Sequence, residues 1–456
     1  MTWIVSLLVV SLTLSPGNWP HFQADTADLT TAQVPLKWQP GDDAWHQSIE
    51  GYGQSSPVVW GETVYVTTIS GPKKEHCHVH ALSLAEGKLL WKHDLAAASE
   101  GQNANHMSRG APTPAVDEAG VYCLFEGGNL VALDHAGKPR WDLDLVQEFG
   151  PIDARHGLAS SLAQQENRLF VWIQRGSDPY LTAISKADGS VLWKTAREEG
   201  STAWSSPVLL PMPSGQTHLV LSSSGSLTGY NPGDGKQLWQ LGDLAGNTSP
   251  TPFVVGEGKL LVGASGGRGE EGPTKEAMET NGLVQVTQGP DSDQWKAEYL
   301  WRSTKATCSF SSPIAVDGRA YYVARGGILF CLDLETGEQV YVQRLGGEIW
   351  ATPLVIKDRI YYFTKDGDAK VIATGPKFEM LAENALWNED NRPEAPAPTP
   401  LSGGGEGEGN RGAGGRPGRG GPGAMPASTT QYAAIAVPGT VVIRSGSHVY
   451  GIRVEE

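Results

Sequence analysis

The chain has 456 residues, 39% of them hydrophobic and 19% charged, with 57 Gly and 15 Trp. Its formal net charge of −15 repels phosphate backbones, which argues against nucleic acid and favours basic or neutral partners and cations. The four cysteines, Cys77, Cys123, Cys308 and Cys331, include no adjacent pair and no Cys-x-x-Cys, so no disulfide framework is expected.

The chain opens with an apolar run, Met1-Thr-Trp-Ile-Val-Ser-Leu-Leu-Val-Val-Ser-Leu-Thr-Leu-Ser-Pro-Gly17. It has the length of a signal-peptide core and falls short of the roughly 20 residues that span a bilayer. No Lys or Arg precedes it and no lipobox cysteine follows it. Residues 1–17 are therefore read as a signal peptide, cleaved near Ser15 or Gly17. The rest is expected to be exported, to the periplasm or beyond, without a lipid anchor or a transmembrane segment.

A repeat dominates the rest of the chain. Ala81-Leu-Ser-Leu-Ala-Glu-Gly87-Lys-Leu-Leu-Trp91 recurs as Ala132 to Trp141, Ala183 to Trp193, Gly229 to Trp239 and Cys331 to Tyr341. The aromatic always stands four residues after the Gly. Each copy has the pattern of a β-hairpin, with Gly in the turn because Gly takes positive φ without penalty. The small residue makes room where neighbouring units crowd. Upstream lies a second strand pair that opens on Ser56-Pro57, Thr113-Pro114, Ser206-Pro207, Thr251-Pro252, Ser312-Pro313 or Thr352-Pro353, and on Ser161-Leu162 without the proline. Proline is tolerated at the start of a strand because no interior ladder bond is lost there.

Four strands per unit, repeated every 40 to 60 residues with no helices between, define the blades of a propeller. Seven blades begin at these Ser/Thr positions. An eighth is assembled from three strands after Tyr432, and the strand-like residues 34–39 (Val-Pro-Leu-Lys-Trp-Gln) are expected to complete it. The fold class is thus all-β: an eight-bladed β-propeller of four-stranded antiparallel blades, closed by pairing N- and C-terminal strands. Residues 18–456 form one domain. Blade five is interrupted by a polar insert from Gly266 through Asn281. Residues 391–428, rich in Gly, Pro and Arg, are expected to be a disordered rim loop between blades seven and eight.

The Ala-x-Asp-x-x-x-Gly-x-x-x-Trp pattern, seen around Cys331-Leu-Asp333-Leu-Glu-Thr-Gly337 and from Ala183 to Trp193, resembles the PQQ-like β-propeller repeat. That repeat occurs in quinoprotein alcohol dehydrogenases and in the outer-membrane assembly lipoprotein BamB. Trp19-Pro20-His21-Phe22 resembles the Trp-Pro-x-Phe lead-in of exported proteins with this repeat. The resemblance implies that Trp91, Trp141, Trp193 and Trp239 dock between blades, with Trp38 and Trp301 as further candidates. Tyr341 departs from the pattern, so a looser seam is expected there. In the dehydrogenases the axis holds PQQ and Ca²⁺, often beside two adjacent cysteines. This chain has no such pair and no matching Glu, Asn and Asp set, so no cofactor is expected.

Other chemistry is sparse. The alternate histidines His76, His78 and His80 share one strand face and form a weak candidate metal site, against the plainer reading of a polar outer strand. No nucleophile elbow and no P-loop is present, and no catalytic residue is assigned. The loops that open each blade carry Gln54, His106, Arg109, His156, Trp204, Asn247, Phe310 and Trp350. Of these, His106, Arg109, His156, Trp204, Asn247 and Trp350 form a candidate axial binding site for a peptide, glycan or anion. The alternative is that they only plug the ring. The expected role is a non-enzymatic exported scaffold of the BamB type, monomeric, holding a protein or a cell-envelope polymer. A PQQ-dependent dehydrogenase and a carbohydrate-binding propeller are the alternatives.

Overall fold

Every unit of the repeat forms a four-stranded antiparallel sheet, and eight such sheets surround one axis. The computed structural model describes residues 17–24, 33–42, 44–101, 108–154, 157–198, 204–246, 249–266, 274–290, 294–390, 392–393 and 430–453. The apolar run of residues 1–16 and nearly all of 391–428 lie outside them. Blade one comprises Val58–Trp60, Thr63–Ser70, His76–Ser83 and Leu89–Ala96, hydrogen-bonded in that order. The first strands of neighbouring blades approach one another around the axis. The fourth strands face outward, and Leu89–Ala96 alternates half-buried and exposed side chains, as expected where one sheet edge meets water.

The ring closes where N- and C-terminal strands meet, but through a different segment from the one expected. Trp45–Ser48, not residues 34–39, pairs antiparallel with His448–Arg453, with Trp45 opposite Gly451 and Ser48 opposite His448. Pro35 explains the difference, because it lacks the N–H that a ladder needs. Residues 34–39 instead cross the blade-seven edge. Pro35 O accepts from Tyr361 Oη at 3.1 Å. Asn384 clamps the segment from both sides, its Oδ1 accepting from Trp38 N at 3.0 Å and its Nδ2 donating to Leu36 O at 3.1 Å.

Two short helices depart from the strand-only expectation. Leu145–Phe149 is started by Asp144, whose carboxylate accepts from Val146 N and Gln147 N. Lys275–Thr280 lies in the blade-five insert. Asn281 ties that insert down by accepting from Ala264 N at 2.9 Å and donating to Ala277 O at 2.8 Å.

The Ser/Thr residues that open blades one to six form a belt along the axis. Thr113 Oγ1 accepts from Ser56 N at 3.0 Å, and Ser161 Oγ accepts from Thr113 N at 3.0 Å. Ser206, Thr251 and Ser312 continue the pattern at 3.0, 2.9 and 3.1 Å. Each hydroxyl therefore pairs a backbone N–H of the preceding blade that would otherwise be buried and unpaired. At the seam between blades eight and one, Arg444 Nη1 donates to Ser55 Oγ at 3.1 Å.

Farther out, tryptophans of the fourth strand reach the Gly turn of the next blade. Trp91 Nε1 donates to His135 O, Trp141 Nε1 to Lys186 O, Trp193 Nε1 to Pro232 O and Trp301 Nε1 to Leu334 O. The rings lie so close to the turn glycines that a Cβ on Gly137 would come within 2.6 Å of Trp91, and one on Gly189 within 2.7 Å of Trp141. Trp45 does the same in the closing blade, donating to Leu84 O at 3.0 Å. Trp239 differs: its Nε1 donates to His218 Nδ1 of its own blade at 3.0 Å. The Tyr341 ring meets Phe378 edge-on.

Thr113→Val keeps the shape of a belt residue but leaves Ser56 N buried and unpaired. Denaturant unfolding should show a loss of about 1–3 kcal/mol. Trp141→Ala should cost about 3 kcal/mol by the same measurement.

Candidate functional site at the axial mouth

The loops that precede the belt crowd one end of the axis. Tyr52 is fixed by an antiparallel bridge to Ile69, with N–O distances of 2.9 Å both ways. Its hydroxyl is hydrogen-bonded to that of Tyr432, from the opposite end of the chain. The Arg109 guanidinium lies 5.3 Å from the centre of the Tyr52 ring. Gln54 sets that geometry, since its Oε1 accepts from Arg109 N at 2.9 Å and its N donates to Arg109 O at 3.0 Å. Gly53 is required here because any Cβ would strike the Arg444 guanidinium and Thr67 O.

On the blade-six and blade-seven side, Phe310 meets Trp350 edge-on at 5.3 Å. The Lys365 ammonium stands 4.6 Å from the centre of the Trp350 ring. Lys365 O accepts from Gln431 N at 3.3 Å. The two halves thus join into one arc along the rim: Phe310, Trp350, Lys365, Gln431, Tyr432, Tyr52, Arg109. The Gln431 side chain is buried, and neither its oxygen nor its nitrogen has a partner. Leaving a buried amide unpaired is costly, which marks this point of the arc as unsatisfied by the protein itself.

Behind the arc two buried cations hold its shape. Arg444 is fully buried and donates to Gly446 O, Ser55 Oγ and Thr67 O, with no carboxylate against it. Burial pushes its pKa down to about 9. Lys74, held at a left-handed φ of 59°, pairs with buried Glu126 at 2.9 Å. Glu126 accepts from Gly110 N at 2.6 Å, and Lys74 donates to Ser108 O. This pair grips the loop on both sides of Arg109. A cavity of about 250 Å³ adjoins it, walled by Ile69, Cys77, Ile152 and Leu158 and bordered by Glu100 and Asp153.

Of the axial candidates read from the sequence, Arg109 and Trp350 fall on this arc, and Trp204 is half-buried in the loop opening blade four. His106, His156 and Asn247 lie outside the described residues. Tyr52, Lys365, Gln431 and Tyr432 carry no sequence signal of their own, because they gain a role only where separate blades meet. Of the histidine candidates, His76 is exposed, while His78 and His80 are hydrogen-bonded to neighbouring side chains. His78 bonds Asp94 at 2.7 Å and Ser70 at 2.8 Å, and His80 bonds Thr68 at 2.9 Å. Among the described residues no three His, Cys, Asp or Glu side chains converge on a metal-sized site. The cysteines are all buried and unpaired by disulfides. The first strands carry buried aliphatic residues such as Val58, Ala115, Ile314 and Leu354.

Burial lowers the pKa of His80 to about 3 and that of His218 to about 4. The unfolded chain binds these protons more tightly, so the stability tied to the neutral rings is complete above pH ~6.5 and falls as pH drops toward those values, by up to ~1.4 kcal/mol per pH unit per group. Thermal unfolding of His80→Gln should show a shallower acid limb than the wild type.

The architecture defines the class: an eight-bladed β-propeller with PQQ-like repeats. The chain belongs to the family described as Outer membrane protein assembly factor BamB, which matches residues 27–171, 79–298 and 280–406. It is 25% identical over 248 residues to a BamB of Yersinia pestis, covering 51% of this chain and 56% of that protein. It is 28% identical over 187 residues to a polyvinylalcohol dehydrogenase of Pseudomonas sp, covering 37% of this chain and 26% of that one. The chain thus spans between 26% and 64% of the length of the curated relatives it matches. BamB of Moraxella catarrhalis shares the fold, with a TM-score of 0.57, 12% identity and coverage of 90% of this chain and 97% of that one. So does quinohemoprotein alcohol dehydrogenase of Comamonas testosteroni, with a TM-score of 0.54, 13% identity and coverage of 96% and 81%.

Proposed function

We propose that the protein is an exported, non-enzymatic propeller scaffold of the BamB type that holds another protein of the cell envelope at its axial mouth. The rim arc carries this reading. It sets two edge-on ring pairs, two cations over aromatic faces and one unpaired buried amide along a continuous line. Such a line suits an extended chain, with aromatic faces for side chains and amide and cationic donors for backbone or carboxylate oxygens. Lys365 stands 3.9 Å from Glu348, so Arg109 is the cation that favours an acidic or neutral segment at its end of the arc.

The test is cross-linking of the full-length protein in envelopes of its source cell, from a photoreactive residue at Phe310, with Arg109→Ala and Trp350→Ala as variants. A specific partner should be captured by the parent and lost at least tenfold in the variants, whose melting temperatures stay within a few degrees. Unchanged capture would remove the mouth from consideration. Saturable PQQ uptake with Ca²⁺-dependent dye reduction would overturn the scaffold reading in favour of a dehydrogenase.

A further inference from the structure

The opposite end of the axis is already occupied by a peptide, and the peptide is the protein's own lead-in. Trp19 forms an antiparallel bridge with Val59 of the innermost strand of blade one, its N donating at 2.8 Å and its O accepting at 2.9 Å. Asn18 Oδ1 accepts from Gly61 N at 2.8 Å. Pro20 O then accepts from Val116 N of blade two at 2.9 Å and from Gln164 Nε2 of blade three at 3.2 Å. Phe22 and Ala24 wall a small cavity together with Phe253, Ile314, Leu354 and Ala434, on the inner strands of blades five to eight. One segment therefore lies over the inner strands of seven blades and is held mainly through its backbone.

The fit is incomplete. Trp19 Nε1 and Gln23 Nε2 are buried without partners. Gln23 has a left-handed φ of 51°, which a non-glycine residue adopts at a cost. The cavity left beneath the segment, about 40 Å³, is bounded by Ser56 and Thr352 of the belt. A core element would normally fill such a space.

We infer that this end of the axis is an acceptor for an extended aromatic-Pro-x-aromatic segment, occupied in cis by residues 18–24 and open to the same kind of segment from a partner protein. Recognition is strand addition to an inner blade edge: main-chain bonds from Val59 and Val116 hold the backbone, and apolar pockets take the Trp and Phe. The site is separate from the rim arc and does not depend on what binds there.

The test uses the full-length protein and a labelled Asn18–Ala24 peptide, followed by fluorescence anisotropy. A Trp19→Ala/Phe22→Ala variant, whose own segment docks poorly, should bind the peptide saturably. The wild type should bind it at least tenfold more weakly, because the tethered segment competes at high effective concentration. A peptide with both aromatics changed to Ala should not bind. A second preparation carries a protease site at positions 27–30, cut after folding, so that the interface is wild type throughout. Exchange of labelled peptide into the cut protein supports the inference. A folded variant that ignores the peptide, equal binding by variant and wild type, or a cut protein that never exchanges would each overturn it.

Discussion

A blade of four strands cannot bury both of its faces, so the structure depends on how blades meet. Near the axis the answer is a hydroxyl. The side-chain oxygen of the Ser or Thr that opens one blade pairs the backbone N–H at the same position of the blade before it. These bonds lie where the first strands converge and water is excluded, so each N–H has no alternative partner. The tryptophans act at a larger radius, where the blades fan apart and a large ring is needed to span the gap. Belt and tryptophans together set the spacing and tilt of each sheet against the next.

The belt also divides the axis into two chemically different ends. Beyond it, on the loop side, lie the cations, rings and unpaired amide of the mouth. On the turn side lies the apolar inner wall, covered by Trp19 to Ala24. Ring closure contributes to both ends. The carboxyl-terminal strands bring Tyr432 to Tyr52 and bury Arg444 against Ser55 and Thr67. The seam that seals the ring is thus also the middle of the rim arc, and loosening one should disturb the other.

Shared architecture does not carry activity by itself. The same fold underlies an assembly factor and a quinohemoprotein dehydrogenase among the solved structures. Here the described first strands carry buried aliphatic side chains such as Val58, Ala115 and Ile314, and the buried Arg444 is satisfied by carbonyls and a hydroxyl.

The repeat period, the Gly-to-aromatic offset and the Ser/Thr-Pro starts were enough to count eight blades, because each is a local requirement of a hairpin or a strand start. Closure by terminal strands was legible too, since an eighth unit of three strands needs a fourth. Which residues supply that strand was not. Residues 34–39 read as the closing strand and 45–48 do not stand out; the hold of Asn384 on 34–39 and the missing N–H of Pro35 separate the two in the structure. The fate of Trp239 was hidden as well, since its partner His218 lies on its own blade and carries no mark in the repeat. The rim arc was half legible: Arg109 and Trp350 stand in loops the repeat identifies, whereas Tyr52, Tyr432 and Gln431 acquire meaning only when the two ends of the chain meet. Local periodicity determined the architecture; contacts between residues hundreds of positions apart decided the sites, because a closed ring brings together what sequence order keeps apart.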